Sequence, residues 1–465
     1  MRNSAELYNK LFRVEITPAR ILVLGFAFTI LIGSVLLWLP FSSPPDNPCS
    51  YIDALFTSAS AVCVTGLIVK DTPHDFTPIG HFIILILIQI GGLGYMSIAT
   101  VISLMVGRKI SLKERLMIRE AYNVLTLEGL ARFALRILKV TAVLEIGGAA
   151  LLALHWWRQD IPLARACWLG LFHAISAFCN AGFALFSDNL ARFVLDPVVS
   201  LTVAGLVISG GIGFIAISDL YKTRIKRSEP RLTIHTKMVL TVTGLLLVLG
   251  TLFIYLMERQ HSLARFPEWG RWLAAFFQAV SPRTAGFNTI DIAGLYFPTL
   301  LLIIFLMFIG ASPGGTGGGI KTTTFGVIMA SIWTTLTGRT KVNFLRSRIS
   351  TEAINRSYVL AFMAAMMVGL VTLMLLRAEL RILTADHMMP VLFEVVSAFG
   401  TVGLSFGAAS HPACSLSSDF NLWGKLLIIL TMFAGRVGPL TLGSAVVWRR
   451  RDLPFDYPEA KILIG

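Results

Sequence analysis

The sequence predicts an all-α polytopic membrane protein, built from four pseudo-fourfold helix/pore-loop/helix repeats around one central path. Three observations lead there: a composition too apolar for a soluble core, runs long enough to cross a bilayer, and a motif that returns four times. Of 465 residues, 55% are hydrophobic and 14% charged, a balance soluble domains rarely reach. A helix needs about 20 mostly apolar residues to cross ~30 Å of hydrocarbon with its own backbone satisfied. The first such run, Ile21 to Pro40, is too long for the apolar core of a signal peptide and reads as a span.

The repeat is visible as an order. A long apolar helix is followed by a polar turn, a half-length segment ending near glycine, and a second long apolar helix. The half-length segments are Tyr51 to Leu67, Cys167 to Phe183, Arg271 to Phe287 and Met389 to Leu404, each too short to span. Phe56, Phe172, Phe276 and Phe393 stand ten residues before Gly66, Gly182, Gly286 and Gly403, glycines that are 116, 104 and 117 residues apart. Ser60, Ser176 and Ser397 stand six residues before theirs, whereas the third unit has Val280 there and Ser281 one later. The following helices carry Gly91 and Gly94, Gly210 and Gly213, and Gly435 and Gly438. The units divide as 1–106 for repeat 1, 107–220 for a basic linker and repeat 2, 221–337 for a linker and repeat 3 with a broken second helix, and 338–465 for a linker, repeat 4 and a short basic tail.

The formal charge of +14 falls in alternate loops. One loop holds Arg108, Lys109, Lys113, Arg115, Arg119 and Arg132; the next holds Lys222, Arg224, Lys226, Arg227, Arg231 and Lys237. A third holds Arg339, Lys341, Arg346, Arg348 and Arg356, and the N-terminal Arg2, Lys10, Arg13 and Arg20 and the tail Arg449 to Arg451 share that side. The positive-inside rule puts these loops and both termini in the cytoplasm of a multi-pass cytoplasmic (inner) membrane protein. No basic stretch is interleaved with stacking aromatics, so no nucleic-acid partner is expected, and anionic membrane lipid is the natural neighbour of these charges.

A half-helix that enters the membrane and returns as extended backbone leaves carbonyls without helical partners, which is tolerable only against protein or water. Its negative C-terminal dipole end faces that cavity and favours cations. Carbonyls directed at the axis replace an ion's hydration shell. The stretches that would line the path are Val64-Thr65-Gly66, Asn180-Ala181-Gly182, Thr284-Ala285-Gly286 and Thr401-Val402-Gly403. None places a carboxylate in the ring, which argues against a divalent filter. Asp53 and Glu394 read as charges near pore-helix N-termini. Since the stretches share one glycine and little else, the expectation is a real but imperfect preference for potassium over sodium.

The second long helix of repeat 3 contains Gly310-Ala311-Ser312-Pro313-Gly314-Gly315-Thr316-Gly317-Gly318-Gly319-Ile320-Lys321-Thr322. Proline costs a helix about 3 kcal/mol and each glycine nearly 1, so this segment must be a loop within the membrane. It misses the phosphate-binding G-x-x-x-x-G-K-[ST] by one residue, since Ile320 separates Gly319 from Lys321. Arg436, between Gly435 and Gly438, and Glu145 are charges inside apolar helices, which usually face a cavity or a partner. Glu145 reads as a structural hydrogen-bonding group, with a place in a proton or sodium relay as the alternative, and for His173 a local hydrogen bond is expected. The eight histidines form no metal cluster, the five cysteines have no paired spacing, and no nucleophile, base and orienting group come together, so no enzyme is expected.

Thr65-Gly66, Asn180-Ala181-Gly182-Phe183, Arg283-Thr284-Ala285-Gly286-Phe287-Asn288 and Thr401-Val402-Gly403-Leu404, in four helix, pore-loop, helix units, resemble the Trk/Ktr/HKT potassium transporters, most of all their bacterial ion-translocating subunits. The resemblance covers nearly the whole chain. It implies a potassium path along the pseudofourfold axis, with K+ at the filter as the only metal, no covalent cofactor, and Na+ as a candidate activator. It also implies a homodimer and a cytoplasmic nucleotide-binding regulatory ring of the KtrA/TrkA-like kind. In this family the broken segment obstructs the path beneath the filter, which makes Gly310, Pro313, Gly314, Gly315, Gly317, Gly318, Gly319, Lys321 and Arg436 the gate. Lys321 and the threonines Thr322 to Thr324 either anchor that loop or, for Lys321, snorkel to the interface. Arg436 is either a charge barrier or a strut to broken-helix carbonyls. The alternative for the whole chain is a sodium-selective or poorly selective carrier of the same architecture; family members with serine at the first filter position are often sodium carriers, and this chain has Gly66.

Overall fold

The computed structural model describes residues 18–94, 130–225, 231–379 and 388–446. The N-terminal basic residues, most of the first basic loop, Lys226, Arg227, the Arg449 to Arg451 tail and the 106/107 boundary lie outside these.

In the first unit, α1 (Pro18–Trp38) leads to α2 (Tyr51–Cys63) and α3 (Pro78–Leu93). The second holds α4 (Leu130–Trp157), α5 (Leu163–Phe178), α6 (Pro197–Ile212) and α7 (Phe214–Leu220). The third holds α8 (Ile234–Glu258), α9 (Glu268–Val280), α10 (Phe297–Phe308) and α11 (Thr322–Leu336). The fourth holds α12 (Thr351–Ala378), α13 (Met388–Gly400), α14 (Leu422–Val437) and α15 (Pro439–Val446). Among the described residues the strands are β1 (Asn343–Phe344) and β2 (Ser347–Arg348), a hairpin in the basic loop after α11, turned by Leu345 and Arg346 at positive φ.

Caps in the sequence fix many helix starts. Thr77 and Asp196 precede Pro78 and Pro197, so an oxygen acceptor is followed by a residue with no N–H to satisfy. Asn421 Oδ1 accepts from the Gly424 N–H at 2.9 Å, and Ser50 Oγ from that of Asp53 at 3.3 Å.

Among the described residues, four helices are long and apolar enough to cross a bilayer alone: α1, α4, α8 and α12, the first of each unit. They expose Phe28, Val143, Val248 and Phe362 outward, as lipid-facing helices do, and the chain is a multi-pass membrane protein. Inside them the short helices α2, α5, α9 and α13 are buried toward their C-terminal ends, with Phe56, Phe172 and Phe393 at 0% exposure, while Leu163, Trp269 and Trp272 near the starts of α5 and α9 are exposed.

The helices that follow are shorter than the sequence leads one to expect. Instead of running on as long spans, α3, α6 and α14 have 16 residues each, roughly 24 Å. Each stops at a glycine of positive φ: Gly94 (75°), Gly213 (94°) and Gly438 (91°). Beyond Gly213 the chain departs at 98°. The break is thus not peculiar to repeat 3. The first glycine of each pair has a different use: a Cβ at Gly91, Gly210 or Gly435 would stand 2.1, 1.9 or 1.9 Å from the carbonyl oxygen of Val62, Phe178 or Phe399. The pairs let a helix press on the last turn of the pore helix and then end.

Candidate ion path

After each pore helix the backbone turns twice through positive φ. The first turn is at Val64 (56°), Asn180 (61°), Thr284 (74°) and Thr401 (50°), and the second, two residues on, at Gly66 (89°), Gly182 (71°), Gly286 (75°) and Gly403 (95°). Non-glycine residues adopt this region at about 1–2 kcal/mol each, so four in register mark a conformation imposed by the surroundings.

Serines hold the turns. The N–H of Gly66 donates to Ser60 Oγ and that of Gly403 to Ser397 Oγ, both at 3.0 Å. Ser176 Oγ instead donates to the Phe183 carbonyl at 2.7 Å, and Ser281 Oγ to that of Phe287. The offset serine of repeat 3 has a structural cause. In the other units the residue before the glycine donates to the serine carbonyl five residues back, as Thr65 to Ser60, Ala181 to Ser176 and Val402 to Ser397; Ala285 donates four back, to Ser281. One residue is missing from that turn, and the buried phenylalanine moves with it, from Phe276 to Phe277.

The glycines meet in a closed order. A Cβ on Gly66 would stand 2.4 Å from the Ala181 oxygen, on Gly182 2.9 Å from that of Ala285, on Gly286 2.3 Å from that of Val402, and on Gly403 2.2 Å from that of Thr65. Contacts run from unit 1 to 2, 3, 4 and back to 1. The twelve residues singled out in the sequence lie in these four stretches. Across one joint, the Asn180 amide oxygen accepts from the Thr284 hydroxyl at 2.9 Å while its nitrogen points at the carbonyls of Ala177, Val207 and Phe178.

All four glycines line a cavity of about 160 Å³ on one side, which also holds Asp71 and Asp188. A second cavity of about 230 Å³ is lined by the glycine-rich loop, Lys321 and Arg436. Between the ring and this second cavity lies the loop. α10 ends at Phe308, and Ile309 pairs with Ile320 as a parallel bridge that pinches the segment shut. The loop docks on the broken end of α6: Ser312 N–H donates to the Gly211 carbonyl at 2.9 Å, Thr316 N–H to that of Gly210 at 3.2 Å, and Phe214 N–H to that of Gly314 at 3.0 Å. It also touches the ring residues, since Gly318 N–H donates to Thr401 Oγ1 at 2.8 Å and a Cβ on Gly317 would stand 2.0 Å from Thr284 Oγ1.

Two cations hold it. Lys321 Nζ folds back to donate to the Gly317 carbonyl at 2.7 Å. Arg436 donates to the carbonyls of Thr316 and Gly91, and to that of Gly92 at 3.4 Å. It therefore ties units 4, 3 and 1 together below the ring. Thr316, Gly91 and Gly92 are partners of Arg436 that sequence reasoning did not name, because backbone acceptors leave no mark in a sequence.

Glu394 is not at a helix start. It sits mid-way along α13, at 0% exposure, and accepts from Ser405 Oγ (2.7 Å), Ser417 Oγ (2.5 Å) and Ser417 N–H (3.0 Å). It binds the returning chain after the fourth stretch to its pore helix. Removing it in Glu394→Ala strands the two buried donors of Ser417 and the half-buried one of Ser405 and should lower stability by about 3 kcal/mol, read as an earlier thermal midpoint of the detergent-solubilised protein. Asp53 is in the first turn of α2 and pairs with Lys425 at 2.8 Å. His173 Nδ1 faces the Leu169 carbonyl at 2.8 Å and its Nε2 accepts from the Leu185 N–H.

Comparison with known proteins adds independent findings. A family model described as "TrkH: Cation transport protein" matches residues 28–456. The Ktr system potassium uptake protein B of Bacillus subtilis is 38% identical over 457 residues, 97% of this chain and 98% of its own. The potassium/sodium uptake protein NtpJ of Enterococcus hirae is 36% identical over 463 residues, 99% of this chain and all of its own. The crystal structure of the potassium transporter TrkH from Vibrio parahaemolyticus shares the fold with a TM-score of 0.70 at 20% identity, over 94% of this chain and 87% of that one.

Proposed function

This chain belongs to the TrkH cation transport protein family, is a transporter and not an enzyme, and we propose that it takes up potassium ions across the cytoplasmic membrane through the ring at Gly66, Gly182, Gly286 and Gly403. The observation that carries this reading is the closed order of contacts among the four glycine stretches, with a cavity on either side. Positive φ at two places in each stretch leaves carbonyls free of helical partners, which suits dehydrated cations. In this reading K+ is cargo at the filter, with no resident cofactor, and Na+ is a candidate activator.

Control is assigned to the loop from Gly310 to Lys321, held by Arg436. The support is its position between the ring and the second cavity, and its bonds to units 2 and 4. The Ktr system name of relatives denotes a component of a larger system, and by analogy the partners are a second copy of this chain and a nucleotide-binding regulatory ring on the basic cytoplasmic face, amid membrane lipid.

The test is rescue of a potassium-uptake-deficient bacterium at low external potassium, with a regulator co-expressed. Growth with uptake favouring K+ over Na+ is the expected result; no rescue by a well-expressed chain overturns it. A mixed potassium and sodium carrier is the second reading, favoured by the name of the E. hirae relative. Equal uptake of both ions would select it.

A further inference from the structure

Behind the second stretch of the ring lies a polar cluster in an apolar setting. Gln89 of α3 donates through Nε2 to Glu145 Oε2 of α4 at 3.1 Å. The thiol of Cys179, the residue immediately before Asn180, is 3.5 Å from Gln89 Oε1 and 3.9 Å from Glu145 Oε1. Glu145 is 6% exposed and Cys179 fully buried. The backbone of α3 closes on the same sulfur, since a Cβ on Gly92 would stand 2.5 Å from it.

A carboxylate, an amide and a thiol from two repeats are costly to bring together inside a membrane protein, and such residues usually mark function. Here they touch no ion path. What they touch is the residue from which the second stretch departs, where Asn180 takes positive φ and is bonded on its other side to Thr284. The stretch is thus held from behind by this cluster and from the side by the third unit. Ion discrimination by a carbonyl ring depends on where the carbonyls stand, and Ala181 supplies the carbonyl that packs on Gly66.

We propose that Gln89 and Glu145 are positioning residues of the filter, which set its preference for K+ over Na+ by bracing Cys179. This rests on the reading of the ring as a potassium filter and names residues that act on it without touching ions.

The experiment is initial-rate uptake of K+ with competing Na+ by the full chain in cells lacking other potassium uptake, with membrane abundance measured. Gln89→Ala and Glu145→Ala should each lower the K+/Na+ preference by about fivefold, the worth of one buried hydrogen bond, and the double variant should lower it no further. Thr141→Val, one turn along α4 at a hydroxyl with no hydrogen-bond partner among the described residues, should leave the ratio unchanged. If Glu145→Ala does not accumulate, Gln89→Ala alone decides. An unchanged ratio in Gln89→Ala, or additive losses in the double variant, overturns the brace while leaving the potassium reading standing. Absence of K+ uptake by the unmodified chain removes both.

Discussion

Replacing Arg436 by alanine is expected to raise potassium uptake in the absence of the regulator by about a hundredfold. A fixed positive charge ~6 Å from a permeating ion opposes it by roughly 3 kcal/mol at an effective dielectric of 20, and each 1.36 kcal/mol is about tenfold in rate. The same substitution frees the loop, because Arg436 is the group that joins Thr316 to Gly91 and Gly92. In the proposed gate, charge barrier and strut would act together in this side chain. Arg436→Lys separates them: it keeps the charge but cannot span carbonyls of two units as a guanidinium does. A rise in Arg436→Lys close to that of Arg436→Ala would assign the control to the strut. Unchanged or reduced flux in well-expressed Arg436→Ala would remove the gate role.

The opposite effect is expected from Gly286→Ala, which should lower uptake at least about tenfold. At φ 75° an alanine costs about 1–2 kcal/mol by backbone strain alone, and its methyl would lie 2.3 Å from the Val402 carbonyl oxygen. That oxygen belongs to backbone within the ring, so it cannot swing aside as a flexible side chain would. Gly147→Ala and Gly244→Ala, with open space around them, are the comparison: they should leave uptake as it was. Equal uptake by Gly286→Ala and Gly147→Ala would show that the ring is not the path.

What the sequence disclosed and what it withheld divide along physical lines. Spans are a matter of composition and length, so α1, α4, α8 and α12 stand out. Glycine at fixed spacing is a matter of steric need, so the four ring glycines and the unhelical segment at Gly310 to Lys321 could be singled out. Where a conformation is imposed by neighbours, the sequence is silent. Val64 and Thr401 are β-branched residues that ordinarily avoid positive φ, and nothing local announces that they adopt it. Gly94, Gly213 and Gly438 do not announce themselves as stops, because membrane helices use glycine as a packing face more often than as an end. Glu394 looked like a helix-start charge because Ser405 and Ser417, which hold it, lie beyond the turn. Arg436, Gln89 and Glu145 find their partners across units, some of them on backbone carbonyls, and no spacing rule reaches that far.

The contact order round the ring has a hand, and this bears on heredity. Each ring glycine abuts the carbonyl ahead of the next glycine, never its own. A lesion at Gly66 therefore falls on Ala181, one at Gly182 on Ala285, one at Gly286 on Val402 and one at Gly403 on Thr65. Revertants selected from such lesions should cluster in the succeeding repeat and not in the damaged one. Four repeats that have drifted apart in sequence would then still be bound to change in sequence order, each constrained by the one before it.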